Sequence, residues 1–111
     1  MDCLFCKIIS GEIPSKKVYE DENVFAFEDI DPRAPVHALV IPKEHMKSLD
    51  DTAGKEQTVS AVMAAVPKIA KQLGLENGYR TVINTGADGN QTVWHLHVHI
   101  LGGRLMGWPP G

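Results

Sequence analysis

Histidine and apolar residues alternate strictly near the end of the chain, in the segment Trp94-His95-Leu96-His97-Val98-His99-Ile100. Successive side chains point to opposite faces of a β-strand. The three histidines are therefore predicted to project from one side, and the apolar residues toward a core. A strand with one buried face has its register set by that face. We predict such a strand from Thr92 to Leu101, ended by Gly102-Gly103.

Three titratable side chains in this pattern are unusual for an ordinary exposed strand. Imidazole is not among the side chains enriched in strands, and neighbouring histidines disfavour each other's charged form. Neutral imidazoles can ligate a metal ion. Alternatively, they can supply a nucleophile, its orienting partner and a proton carrier for phosphorus chemistry. The pattern itself leaves both interpretations open.

The rest of the chain predicts an α+β domain built on an antiparallel sheet, with one long helix and a short N-terminal helix. Apolar residues spaced by three and four favour the long helix from Ala53 to Leu73, in which Pro67 predicts a kink or a break. A short helix from Cys3 to Ser10 is expected to end at Gly11. Further strands are predicted at Val18–Glu20, Val24–Phe27, Ala38–Ile41 and Tyr79–Asn84, with a turn from Thr85 to Asn90.

Length and composition limit the classes of protein that this chain can represent. Its 111 residues suit one domain, expected to cover residues 1–111 with an irregular tail at 104–111. A net charge of −3 argues against a nucleic-acid partner, which usually requires a basic surface. We expect no membrane segment and no secretory signal. Two cysteines three positions apart form no disulfide framework, so a cytoplasmic location is expected.

The residues around the histidines resemble the histidine-triad (HIT) family over nearly the whole chain. His95 to Leu101 fits the signature His-apolar-His-apolar-His-apolar-apolar. The ending Trp108-Pro109-Pro110-Gly111 resembles the nucleotide-binding branch rather than the fragile-histidine-triad branch. The resemblance also covers Ala34–Lys43, Gly78–Arg80, Asn84, Asp88–Gln91 and Leu101–Arg104.

This resemblance implies a HIT-like fold, a homodimer, and hydrolysis of nucleoside phosphoramidates or acyl-adenylates of purine (AMP-like) nucleotides. It implies that His97 attacks the α-phosphorus and becomes a nucleotidyl-histidine, which water then cleaves, with no cofactor required for catalysis. By the same resemblance His99 lies beside the phosphate oxygens, and His37 lies near the leaving group. The apolar helix stripe and a sheet edge at Tyr79–Asn84 are a further reason to expect the dimer.

The resemblance also implies a set of nucleotide-binding residues. Asp29 would bind the ribose hydroxyls and Ile30 would contact the base. Contacts to the phosphate and ribose are implied for Asn84, Asn90, Gln91 and Thr92. The nucleotide-binding branch often has Gly and Ser where Asn90 and Thr92 stand. Thr92 keeps the hydroxyl, and asparagine tolerates positive φ better than most residues.

The pair Cys3-x-x-Cys6 is by itself a weak signal, because two cysteines on one helical turn are often simply buried. Bacterial family members that open with this pattern bind structural zinc through two further histidines. Those positions are His45 and the first triad residue, His95. The resemblance thus implies a zinc site that leaves His97 and His99 for the chemistry.

Three other functions stay open at this point. They are a dinucleoside polyphosphate hydrolase, a nucleotide-binding regulatory or scaffold protein, and a hydrolase that uses the triad as a catalytic zinc site.

Overall fold

Five strands form one antiparallel sheet in the computed structural model, which describes residues 2–111. The first residue of the expected domain lies outside that range. Two α-helices accompany the sheet, so the predicted α+β class is confirmed. The strand order is β1-β2-β3-β5-β4, which places β3 at the centre. The elements are α1 (Leu4–Ser10), β1 (Lys17–Glu20), β2 (Val24–Glu28), β3 (Val36–Pro42), α2 (Glu56–Gln72), β4 (Tyr79–Val82) and β5 (Val98–Gly102), with a 3₁₀ turn at Leu49–Asp51.

Both faces of the sheet are buried. Successive side chains of a strand point to opposite faces, and in the central strands apolar residues point to each face. One face packs against α2 through residues such as Val24, Val40 and Ile100. The opposite face, which carries Phe27 and Leu39, packs against α1. We refer to this second face as the α1 face. It also carries His99, which pairs with Leu39 across the β3–β5 ladder. The residues before and after His99 in β5 face α2, so His99 itself points to the α1 face.

The long helix is continuous across its proline. It begins at Glu56 rather than Ala53 and runs to Gln72 as one helix, so of the expected kink or break at Pro67 the break does not occur. Proline removes the N–H that the carbonyl of Met63 would otherwise accept from, and Met63 is on the exposed side of the helix. The buried residues of the stripe, among them Val62 and Ile69, are used by the chain's own core.

The last strand is shorter than the alternation predicts. Strand β5 begins at Val98, and residues 91–97 approach it as an irregular segment. Its neighbour β3 ends at Pro42, which has no N–H for the ladder, and the N–H of Leu96 donates to the carbonyl of Met46 at 2.8 Å. Trp94 is consequently 50% exposed instead of facing the core.

The remaining elements deviate little from the expected boundaries. Helix α1 ends at Gly11, whose φ of 86° is left-handed, as predicted for a helix stop. Strand β4 ends at Val82, two residues before the expected Asn84, and residues 104–111 contain no helix or strand. Within residues 2–111, no helix combines the length and the apolar character needed to span a bilayer.

Candidate active site and metal centre

A cleft of about 600 Å³ opens on the α1 face and brings most of the expected active-site residues together. Its walls come from α1 and the chain after it, from the β2–β3 connection and from the segment before β5. The predicted site residues that line it are His37, His97, His99, Asp29, Ile30, Asn84, Asn90 and Thr92. Its apolar wall comprises Leu4, Phe5, Ile8, Ile13, Phe27, Leu39 and Val93. The cleft therefore combines an apolar surface for a flat ring with a cluster of imidazoles.

His97 has one ring nitrogen committed and one free. Its Nδ1 lies 2.7 Å from the carbonyl oxygen of His95, which can only accept, so Nδ1 carries the proton. The lone pair is then on Nε2. Burial lowers the pKa of His97, which keeps the ring neutral near pH 7. A buried neutral imidazole with a free Nε2 lone pair can act as a nucleophile.

His37 and His99 form a hydrogen-bonded pair whose tautomers follow from the chain around them. The backbone N–H of Arg33 donates to Nδ1 of His37 at 3.0 Å, so the proton of neutral His37 is on Nε2. That Nε2 lies 2.9 Å from Nδ1 of His99, which must accept. The proton of neutral His99 is therefore on Nε2. His97 and His99 thus carry opposite functions, a lone pair on one Nε2 and a hydrogen-bond donor on the other.

The electrostatics of this pair favour the neutral forms. Burial, reinforced by the nearby His97 and His37, lowers the pKa of His99 to about 4. Burial likewise lowers the pKa of His37, against the opposing effect of Asp29. The Asp29 carboxylate lies 3.4 Å from Nε2 of His37, while its other oxygen accepts from the N–H of Asp31 at 2.8 Å. Asp29 is therefore fixed beside the histidines at one wall of the cleft.

Of the other expected binding residues, two present exposed side chains at the cleft, and two lie at the turn that borders it. Ile30 is 98% exposed at the cleft, and Thr92 is also exposed there. Asn84 donates from Nδ2 to the carbonyl of Gly89 at 2.7 Å. Asn90 has a φ of 60° and is the one non-glycine residue of the described chain with positive φ. Its left-handed conformation agrees with the tolerance expected of asparagine.

Gln91 does not line the cleft, in contrast to the expectation of a direct nucleotide contact. Its side chain is buried, and its Oε1 accepts from the N–H of Gly86 at 3.1 Å. Its Nε2 donates to the carbonyls of Lys47 and Val93 at 2.7 and 3.1 Å. Both polar atoms of its side chain hold loop segments together, so Gln91 shapes the cleft from behind.

Cys3, Cys6, His45 and His95 converge on one point, as the resemblance implied. Nδ1 of His95 lies 3.4 Å from Sγ of Cys3 and 3.6 Å from Sγ of Cys6. Nδ1 of His45 lies 3.5 Å from Sγ of Cys6 and 3.2 Å from Nδ1 of His95. Bond lengths of about 2.3 Å to sulfur and about 2.05 Å to nitrogen in a tetrahedron give edges of about 3.6 Å for S–N and about 3.3 Å for N–N. The four donors therefore fit a tetrahedral zinc ion, and structural zinc is possible here.

The surroundings of the four donors suit a metal. His95 is fully buried, and its Nε2 donates to the carbonyl of Pro42 at 2.8 Å, so the Nδ1 lone pair is directed at the sulfurs. Burial lowers the pKa of His95 to about 4, which keeps it neutral. Burial also raises the pKa of the Cys6 thiol to about 11. Without a cation that thiol keeps its proton near pH 7, and metal binding must displace it.

The three triad histidines do not form one metal site. Two groups of potential ligands are found among residues 2–111, one containing His95 and the other combining Asp29, His37 and His99. His97 belongs to neither. In the second group, a metal on Nε2 of His37 would require a proton on Nδ1, facing the N–H of Arg33. The geometry does not favour the triad as a catalytic zinc site.

Sequence reasoning missed Phe5, the apolar wall and the two backbone groups that set the histidine tautomers. The ring of Phe5 lies 5.9 Å from the ring of His95 and 5.2 Å from that of His97. Its position between Cys3 and Cys6 could have placed it near His95, because a shared metal ion would bring those residues together. The N–H of Arg33 and the carbonyl of His95 have no side-chain signal in the sequence.

Comparison with known proteins agrees with this geometry. The protein-family model of the HIT domain matches residues 10–106 of the sequence. A 14 kDa zinc-binding protein of Zea mays is 52% identical over 111 residues, covering 97% of this chain and 87% of that protein. The crystal structure of a HIT family hydrolase from Legionella pneumophila superposes with a TM-score of 0.94 at 47% identity, covering 99% of this chain and 100% of the other. A histidine triad nucleotide-binding protein from Candida albicans superposes with a TM-score of 0.85 at 36% identity, covering 99% and 85% of the two chains.

Proposed function

Since this chain belongs to the HIT domain family, we propose that it hydrolyses nucleoside phosphoramidates or acyl-adenylates of purine nucleotides through a covalent intermediate on His97. One observation carries this proposal. The His95 carbonyl holds the proton of His97 on Nδ1, which leaves the Nε2 lone pair free in a cleft of nucleotide size. A similar solved structure is that of a HIT family hydrolase, which supports hydrolysis as the general reaction.

The nucleotide is proposed to lie with its base on the apolar wall. Phe27 and Leu39 provide that wall, and exposed Ile30 can cover the base from the solvent side. Asp29 can accept hydrogen bonds from the ribose hydroxyls, since its carboxylate lies at the same wall. The name of the Candida albicans relative supports nucleotide binding, and the preference for a purine rests on the family resemblance.

Substrate binding adds a negative charge beside the His37–His99 pair. An adjacent anion favours the protonated form of an imidazole and so opposes the desolvation that keeps His99 neutral. The pair therefore takes up one proton from solvent when the phosphate binds. This proton lies beside the leaving group, where it is needed.

In the first chemical step, the Nε2 lone pair of His97 forms a bond to the α-phosphorus, and the phosphorus–nitrogen bond to the leaving amine breaks. The leaving nitrogen receives the proton of the His37–His99 pair through Nε2 of His99. The Nδ1–H of His97 stays bonded to the His95 carbonyl, which stabilises the positive charge of the phosphorylated imidazole.

In the second step, a water oxygen attacks the same phosphorus. The proton that the water loses returns to the His37–His99 pair, and the bond to His97 breaks with its electron pair returning to Nε2. The products are the free amine and a nucleoside monophosphate. The pair releases its proton when the phosphate leaves, so the cycle is balanced.

A zinc ion would be held by Cys3, Cys6, His45 and His95, and when bound it supplies structural cross-linking of the N-terminal segment to the sheet. The chemistry itself is proposed to need no cofactor.

A homodimer is proposed through the edge of the sheet at β4. Within residues 2–111, strand β4 pairs with β5 alone, and Tyr79 at its start is 40% exposed. An unpaired edge is a natural place for association. The helix stripe no longer supports this proposal, because its buried residues belong to the monomer core. Light scattering at micromolar concentration should give twice the chain mass, and a monomer would contradict the dimer.

The activity can be tested with adenosine 5′-phosphoramidate as substrate and with His97→Gln, which keeps the size of the side chain. We expect turnover by the wild type and a loss of at least about 10³-fold in kcat for His97→Gln, because no other side chain offers a comparable nucleophile. Calorimetry should show that both proteins bind AMP. Gln57→Ala, on the exposed side of α2, is a control that should keep full activity. Turnover by His97→Gln at the wild-type rate would disprove the assignment.

The same assay separates the other functions. Faster cleavage of a diadenosine polyphosphate than of the phosphoramidate would favour a dinucleoside polyphosphate hydrolase. Tight AMP binding without turnover of either substrate would favour a regulatory or scaffold protein.

A further inference from the structure

Phe5 is the side chain that lies between the proposed zinc ligands and the proposed nucleophile. It stands between Cys3 and Cys6 in the sequence and is 4% exposed. Its ring meets the ring of His97 edge-on, at a centroid distance of 5.2 Å and an interplanar angle of 86°. It also meets the ring of His95 at 5.9 Å. One ring thus touches both a metal ligand and the nucleophile.

The position of Phe5 depends on the metal-ligating turn. Helix α1 has seven residues, and a helix this short is not stable by itself in water. Cys3 caps it, with Sγ accepting from the N–H of Cys6 at 3.4 Å. Both cysteines meet His45 and His95 at the metal centre. Fixing these two sulfurs therefore fixes the residue between them.

A second route joins the same two sites. The carbonyl of His95 accepts the Nδ1–H of His97 at 2.7 Å, and the side chain of His95 is a zinc donor. Movement of His95 would displace the acceptor that sets the His97 tautomer. Phe5 packs against both rings and restricts such movement.

We propose that Phe5 is a positioning residue that holds the His97 ring and its His95 acceptor in reactive alignment, and that the proposed zinc site sets the rate of nucleotidyl transfer through it. This inference rests on the proposed function of His97. The metal then serves catalysis without contacting the substrate. A purely structural role for the metal would change stability and leave the transfer rate of the folded protein unchanged.

The size of the effect follows from how sensitive transfer is to alignment. Loss of a supporting contact around a site typically costs about 10- to 100-fold, and a displacement of about 1 Å can cost about 100-fold. We expect a loss in this range in the rate of adduct formation. Phe5 also lines the cleft, so a smaller change in AMP affinity is expected as well.

The test uses Phe5→Met, which keeps most of the volume but loses the rigid ring, and Phe25→Met as its matched control. Phe25 is 5% exposed in the same apolar cluster and contacts the ring of Phe27, with no ring contact to a histidine in the described chain. Both zinc-loaded variants and the wild type are mixed with adenosine 5′-phosphoramidate. Rapid quenching and intact mass spectrometry give the rate of adduct formation, and calorimetry gives the AMP affinity. Nitrogen-15 NMR reports the tautomer of His97 in the free protein.

We expect Phe5→Met to slow adduct formation about 10- to 100-fold and to populate both tautomers of His97, with Phe25→Met resembling the wild type in both respects. Chelation should slow the wild type similarly and slow Phe5→Met by a smaller factor, because Phe5 carries one of the two links between the metal centre and His97. Equal rates and equal His97 spectra in the two variants would overturn the inference.

Two further outcomes remain decisive. If Phe5→Met does not fold, the His97 spectrum of the wild type with and without zinc decides, and an unchanged tautomer overturns the inference. If the wild type forms no adduct and shows no turnover, the proposed function fails, and the NMR comparison still decides whether Phe5 aligns His97.

Discussion

Gln91 provides the sharpest test of how the cleft is held in shape. Its buried side chain joins three segments, the turn at Gly86, the loop at Lys47 and the segment entering β5 at Val93. The three hydrogen bonds measure 3.1, 2.7 and 3.1 Å. Because Asn90 and Thr92 flank Gln91 and line the cleft, loosening it should disturb the cleft as well.

Replacing Gln91 with alanine removes all three hydrogen bonds and leaves one N–H and two carbonyls without these partners. Each such bond contributes about 0.5–1.5 kcal/mol net, and partners left unsatisfied add to the loss. The expected decrease in the free energy of unfolding is therefore about 2–4 kcal/mol. In a domain of 111 residues, that lowers the melting temperature by roughly 9–17 °C.

Urea denaturation followed by circular dichroism measures this loss, with zinc and protein concentrations held equal in all samples. The control is Gln57→Ala, which removes an exposed glutamine from α2 and should change stability by less than about 0.5 kcal/mol. A loss below about 1 kcal/mol for Gln91→Ala would refute the view that this side chain holds the loops together.

Three further predictions concern the metal, the acid sensitivity and the backbone. Removing zinc with a chelator should lower the stability of the wild type by about 3–4 kcal/mol, compared with a sample in which free zinc exceeds its dissociation constant several-hundred-fold. The chelator should have little effect on Cys6→Ser. Equal melting temperatures of the wild type with and without chelator would contradict the zinc site. Burial lowers the pKa of His99 to about 4 in the folded protein, whereas an exposed histidine in the unfolded chain has a pKa of about 6.5. As the pH falls, the unfolded chain therefore gains the proton first, and stability is lost between pH 6.5 and pH 4. His99→Gln should therefore lose less stability than the wild type over that interval in urea titrations, although His37 and His97, whose pKa values burial also lowers, still respond to pH. Equal losses would contradict the assignment. Asn90→Ala should be about 1 kcal/mol less stable than Asn90→Gly in the same assay, because a φ of 60° is strained for alanine, and equal stabilities would show that the loop relaxes.

The fold could be predicted where a local pattern decides the structure. Apolar runs bounded by turn residues or proline located strands β2 and β3, and Gly11 marked the end of the first helix. The alternation around His95 and His97 was misleading, because the loss of a donor at Pro42 and the bond from Leu96 to Met46 take this segment out of the ladder. These are tertiary effects that no window of sequence contains.

The site could be predicted where residue types and spacing match a known family. The structure brings together Cys3, Cys6, His45 and His95, the ligand set that the resemblance implied, although these residues are up to 92 positions apart. The groups that orient the histidines of the cleft were not predicted. The carbonyl of His95 and the N–H of Arg33 set the tautomers through the backbone, and a backbone group leaves no mark in the sequence.

Intact-protein mass spectrometry after mixing with adenosine 5′-phosphoramidate shows whether His97 carries the nucleotide during turnover. Covalent catalysis by His97 predicts a transient increase in mass by one adenylyl group on the wild type, no increase for His97→Ala, and an adduct that forms slowly for His99→Ala because the proton carrier is lost. Turnover by the wild type without any adduct, or an adduct that persists in His97→Ala, would rule out His97 as the nucleophile.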